Sequence, residues 1–154
     1  MPTHAGQMGF FAGHKKPEET HPYQTACREF QEESGMDPAV MTCEGLLPPI
    51  FTQRGQAIVP VVARLSLPME SFLEQARSNG EWTDLLAVPW SWLTDEANWD
   101  WGWRRGSSNQ KILMAALSPR SYLHQRGAQE ETFLLWGATA RMVWDYLALY
   151  YRPR

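Results

Sequence analysis

The sequence predicts a single α/β domain built as a sandwich. Three observations carry that expectation. Helical periodicity marks one segment near residue 25 and another at the C-terminal end, and β-branched runs broken by glycine and proline lie between them. The chain of 154 residues is 44% hydrophobic and 20% charged, enough to bury a core without disulfides or a structural metal. It contains no internal repeats, low-complexity tracts or linkers, so one unit over 1–154 is expected.

Taken in order, Gly6 to Gly13 ("GQMGFFAG") reads as a short strand entering a glycine-bearing loop, and "HKKPEETHP" is polar and proline-interrupted, hence a loop. From Pro22 to Ser34 the apolar residues Tyr23, Ala26, Cys27 and Phe30 recur at helical spacing. Thr20 is placed to cap the start and Gly35 to end it. "CEGLLPPIFTQRG" and "QAIVPVVARLSL" read as a hairpin of two strands joined through Gln53, Arg54 and Gly55, with Pro60 marking an edge or bulge. "MESFLEQARSNG" suggests a short helix stopped at Asn79-Gly80, and "WTDLLAVPWSWL" a strand running into a turn or helix at Pro89. "KILMAAL" is compatible with either strand or helix. In "LLWGATARMVWDYLALYY", Trp136, Ala140, Val143, Leu147 and Tyr150 repeat at three- and four-residue steps, which predicts a terminal amphipathic helix.

The net charge of −3 argues against a nucleic-acid binder, and no long apolar span suggests a membrane segment. Cys27 and Cys43 lack metal-ligand spacing and no signal-like start is visible, so reduced cysteines in a cytoplasmic protein are expected. His4, His14, His21 and His124 form no ligand set.

"CREFQEESGM" places Glu29, Glu32 and Glu33 directly after Arg28. On a helix these carboxylates fall within an arc of roughly 100°, so all three can reach one point. Like charges at this spacing repel, and a divalent cation with oxygen ligands reverses that term. On the helix alone, an ordinary solvated acidic face is the commoner explanation.

The longer stretch "GHKKPEETHPYQTACREFQEESGM" resembles the signature of the Nudix hydrolases, G-x5-E-x7-R-E-U-x-E-E-x-G-U, with U a bulky apolar residue. Gly13, Glu19, Arg28, Glu29, Phe30, Glu32, Glu33, Gly35 and Met36 supply its fixed positions, with eight residues rather than seven between Glu19 and Arg28. The resemblance implies an α/β/α sandwich with a mixed β-sheet. It also implies magnesium, with manganese as the alternative, held by Glu29, Glu32, Glu33 and the Gly13 carbonyl. Arg28 would orient the carboxylates, and the catalytic base would be a signature glutamate such as Glu29 or a later one, for which Glu81 is the candidate. The implied reaction is hydrolysis of a diphosphate linkage in a nucleoside diphosphate derivative.

The longer interval is similar to that of the coenzyme A diphosphatase branch, as are "LLPPIFTQRGQAIVPVVARL", "GEWTDLLAVPWSWL" and "FLLWGATARMVWDYL". Coenzyme A or acyl-coenzyme A is therefore the expected substrate, cleaved to adenosine bisphosphate and a phosphopantetheine. Two departures stand out. Ala12 occupies a position where the branch has glycine, and the branch's first strand with its arginine-bearing segment is missing, which favours a homodimer. Lys15, Lys16 and Arg54 are candidates to meet substrate phosphates, although each taken singly is an ordinary surface charge. Trp99, Trp101 and Trp103, followed by Arg104 and Arg105, either stack an adenine or pack their rings on the core or a partner, and packing is the preferred reading. A hydrolase acting on a nucleotide sugar or dinucleotide, and a non-catalytic binding module, are the alternatives.

Overall fold

The computed structural model describes residues 8–52, 54–103, 111–117, 123–124 and 133–151. It is a mixed α/β structure. Among the described residues there are four α-helices, three two-stranded sheets and one three-stranded sheet, and every strand pair is antiparallel. The chain divides into two compact units. One comprises the described parts of Phe10–Ala87 and Leu123–Gly127, the other those of Met1–Gly9, Val88–Tyr122 and Ala128–Arg154.

The first unit is organised by helix α1, Pro22–Ser34. Proline opens it with a preset φ and no amide to leave unsatisfied. The cap is His21 and not Thr20: the His21 ring nitrogen accepts the Tyr23 amide at 3.1 Å, and Gln24 accepts the His21 amide in return at 3.0 Å. Thr20 lies one residue before the cap, where its amide and hydroxyl both donate to Gln24 Oε1, at 2.7 and 3.2 Å. Gly35 ends the helix at φ 69°, a left-handed angle that side chains resist, and its amide donates to Gln31 O at 2.9 Å.

The buried side of α1 is less apolar than the periodicity suggests. Phe30 is buried, but Tyr23, Ala26 and Cys27 are half-buried, whereas Glu29, Glu33 and Ser34 are buried. Phe30 anchors the core with Met36, Phe72, Leu73 and Ala76. Its ring stacks on Phe72 at 5.9 Å and meets Phe11 edge-on at 5.6 Å.

After a 3-10 turn at Pro38–Val40, the two expected strands each break in two. The segments are β1 (Met41–Leu46), β2 (Ile50–Phe51), β3 (Ala57–Ile58) and β4 (Val61–Leu65). Pro48, Pro49 and Pro60 have no amide to give a ladder, so pairing stops beside them. The hairpin survives in pieces, β1 with β4 and β2 with β3, and the register shifts between Cys43 and Gly45. The turn residues Arg54 and Gly55 are described; Gln53 lies outside the described residues.

Helix α2, Met69–Gln75, stops short of Asn79-Gly80. Ala76 is already extended at ψ 138°, and the Arg77 amide reaches Ser34 O at 2.7 Å, so the chain leaves its helix to satisfy the end of α1. Strand β5 (Leu86–Ala87) pairs with β8 (Leu123–His124) in the same unit. The strand expected over Gly6 to Gly13 is not formed at residues 8–13, and Gly6 and Gln7 lie outside the described residues.

The second unit contains α3 (Trp90–Leu93), which follows Pro89, and a 3-10 turn at Glu96–Asn98. Its sheet has the order β6 (Asp100–Trp103), β7 (Lys111–Leu117), β9 (Phe133–Trp136), so "KILMAAL" is a strand. Helix α4, Gly137–Tyr150, buries Ala140, Val143 and Leu147. The predicted stripe was too long at both ends. Trp136 is the last residue of β9, paired with Met114, and Tyr150 is 55% exposed. Gly137, at φ 64°, makes the turn from strand to helix. No helix of the described residues is long and apolar enough to cross a membrane.

Candidate active site

The charged face of α1 and the loop before it form one network centred on Arg28. Its Nε donates to Glu19 Oε1 at 2.7 Å, Nη1 to Glu29 Oε1 at 2.5 Å and Glu32 Oε2 at 3.1 Å, and Nη2 to His14 O at 2.9 Å. A guanidinium suits this work because its donors diverge in a fixed plane, which one ammonium cannot reproduce. Residues fourteen positions apart in sequence are thus tied together.

Glu19 is buried although it lies in a loop, and its carboxylate is fully engaged. Besides Arg28, it accepts the Lys16 amide at 2.8 Å and the Thr25 hydroxyl at 2.7 Å. Arg28 first and the Lys16 amide second hold its pKa at about 2, against the ordinary 4.5 and against the opposing effect of burial. Glu19 therefore fixes the loop to the helix.

Glu33 has the opposite environment. It is buried at the end of α1, and that burial raises its pKa above the usual carboxylate range. The charges of Glu81, Glu29 and Glu32 push the same way, opposed by the Ala12 amide, which donates to Glu33 Oε1 at 2.9 Å. Ala12 needs no glycine-like angle, since no described non-glycine residue has positive φ. Its contribution here is the amide bonded to Glu33. The indole of Trp82 donates to Glu33 O at 2.8 Å and brings the Glu81 segment to the end of α1.

Gly13 lies against Glu29. A Cβ on this glycine would sit 1.8 Å from Glu29 Oε1 and 2.1 Å from its Cδ. The carboxylate is nearly buried and held by Arg28, so it cannot move aside without losing that bond. Gly13→Ala is expected to displace the Glu29 carboxylate from Arg28 and to cost about 1–3 kcal/mol in unfolding free energy; chemical denaturation of the variant checks it.

The other candidates fall in different places. Lys16 Nζ lies 3.5 Å from Glu32 Oε1, so it joins the site, as an exposed ion pair. Lys15 is exposed in the loop, and Arg54 is exposed at the turn between β2 and β3. Glu81 is exposed and bonds with Asn79, its Oε1 accepting from Nδ2 at 3.1 Å, yet its charge reaches Glu33. In the other unit, Trp99 packs edge-on against Trp144 at 5.3 Å and its indole donates to Leu93 O at 2.9 Å, in keeping with a packing role. Trp101 and Trp103 belong to β6; Arg104 and Arg105 lie outside the described residues.

As the side chains stand, no three Asp, Glu, His or Cys of the described residues converge on a single cation position. The donor chemistry nevertheless fits a hard divalent ion. Glu29, Glu32 and Glu33 present carboxylate oxygens from one helix, and Arg28 Nη1 already bridges two of them as an internal cation. Four contacts here carry no signature in the sequence: the Ala12 amide, the His14 carbonyl, the Thr25 hydroxyl and the Trp82 indole. Two are backbone groups, which residue types other than proline offer alike. Compared with known protein families, the chain matches no family model.

Proposed function

We propose that this chain is a magnesium-dependent hydrolase of Nudix type, with the corresponding α/β/α sandwich, acting on a diphosphate linkage in a nucleoside diphosphate derivative. Coenzyme A or an acylated derivative is the foremost substrate. The observation that carries this reading is the Arg28 network: Glu19, Glu29 and Glu32 are joined through one guanidinium, and Gly13 lies against Glu29 with no room for a side chain. An ordinary solvated acidic face would not bury Glu19, Glu29 and Glu33 or place such demands on a glycine.

Glu29, Glu32, Glu33 and the Gly13 carbonyl are the groups to hold magnesium, with manganese as a substitute. When bound, the metal supplies charge neutralisation at the diphosphate and acidifies the attacking water. Arg28 keeps the carboxylates from splaying and orients Glu29. Glu81 or a signature glutamate accepts the proton from water, and Lys15, Lys16 and Arg54 meet phosphate charge. Substitution at phosphorus depends mainly on such positioning and charge neutralisation.

Assay of the purified chain with magnesium against coenzyme A, nucleotide sugars and dinucleoside polyphosphates tests the proposal. Coenzyme A is expected to give adenosine bisphosphate and phosphopantetheine, and Glu33→Gln to lower turnover at least about 100-fold. Turnover of the other compounds alone would remove the coenzyme A assignment. No turnover of any, with magnesium still bound, would favour a binding module.

A further inference from the structure

The two cysteines of the chain lie on elements that one phenol joins. Tyr23 and Cys27 are four residues apart on α1, hence about one turn apart on the same face, and both are half-buried. Met41 and Cys43 alternate along β1 and are half-buried, whereas Thr42 and Glu44 are exposed, so the two share the inward face of that strand. The Tyr23 hydroxyl donates to Met41 O at 3.1 Å, which holds the Tyr23–Cys27 face of α1 to the Met41–Cys43 stretch of β1.

Both cysteines are felt at that phenol. A hydrogen bond with Cys27, the burial of the ring, and the nearby Cys27 and Cys43 side chains raise the Tyr23 pKa, opposed by the Cys43 backbone. Both sulfurs are thiols, and half-burial leaves each within reach of a small reagent. Cys43 is also the last residue before the register shift in the pairing of β1 with β4, and a strand bends at such an irregularity.

We propose that Cys27 and Cys43 are a redox pair: a small-molecule disulfide converts them to a disulfide that ties α1 to β1, and a small thiol reverses the change. In the forward direction one cysteine sulfur attacks the small disulfide, forming a mixed disulfide and releasing one small thiol. The second cysteine sulfur then attacks the protein sulfur of that mixed disulfide and releases the other small thiol. The protein gives up two electrons and two protons, and the two released thiols carry them. The bridge is anchored one residue before Arg28 and does not depend on the hydrolase reading.

Equilibration of the full chain in buffers of graded oxidised-to-reduced glutathione ratio tests it, with remaining thiols alkylated before digestion under denaturing, non-reducing conditions. Trypsin cuts after Arg28 and so separates the two cysteines, which stay together only through the bridge. A linked peptide that is independent of protein concentration is expected. Half-conversion of the folded chain is expected at a ratio about tenfold lower than in urea, because the fold holds the two sulfurs near each other. Equal midpoints in the folded and the unfolded chain would overturn the proposal. So would glutathione carried on the cysteines with no linked peptide, or a linked peptide that forms only at high protein concentration, which is a bridge between chains.

Discussion

Arg28→Met is expected to destabilise the fold near neutral pH and, if the chain is the hydrolase proposed above, to lower its magnesium-dependent turnover about 100-fold. The variant leaves Glu19 and Glu29 buried with their strongest partner gone and frees Glu32 from its bridge. Its effect on stability has a pH signature. Glu19 titrates at about 2 in the folded chain against an ordinary 4.5, so the stabilisation it provides is complete above the ordinary value and disappears as pH falls toward about 2. The variant lacks most of that depression. Its deficit should therefore be largest near neutrality and shrink across this window, read as urea midpoints at neutral pH and at about pH 3. A deficit that is the same at both pH values would show that Glu19 is not the group through which Arg28 stabilises the loop. Arg28→Lys separates charge from geometry: it should recover part of the stability and little of the turnover, because one ammonium cannot serve Glu19, Glu29 and the His14 carbonyl together.

Phe30→Ala is expected to cost about 3–5 kcal/mol in unfolding free energy. Phe30 is 4% exposed and holds two ring contacts, one with Phe72 on α2 and one with Phe11 in the loop before Gly13. The loss should exceed the transfer term for the ring, because Phe72 and Phe11 would face a cavity. The position also bears on function. Phe30 lies directly after Glu29, so loosening its packing releases both the helix and the segment carrying Ala12 and Gly13. Chemical denaturation measures the stability change, and a loss below about 1 kcal/mol would mean the ring is not the anchor of this core.

The sequence made α1 legible almost to the residue. Its proline start, apolar spacing and glycine stop are local properties, and they fixed the helix at Pro22–Ser34. The crowding of Glu29, Glu32 and Glu33 after Arg28 was equally visible, because helical geometry alone puts those side chains on one arc. Where competing partners decided the outcome, local pattern was insufficient. Thr20 has the chemistry of a cap, yet it is the His21 ring that accepts the Tyr23 amide, while Thr20, one residue earlier, donates to Gln24. Trp136 fits the helical repeat of α4, yet pairing with Met114 places it at the end of a strand.

What the sequence determined by itself was the helix and its acidic face. The tertiary structure decided which carboxylates are buried, and therefore how they differ. Glu19 and Glu33 are the same residue type fourteen positions apart, but one pKa is lowered by Arg28, the Lys16 amide and the Thr25 hydroxyl, while burial and neighbouring carboxylates raise the other. Burial and partner geometry depend on groups brought from the loop, from α1 and from the segment around Trp82. No local pattern encodes that assembly, because backbone amides such as that of Ala12 look alike at every position until the fold aims one of them at a carboxylate.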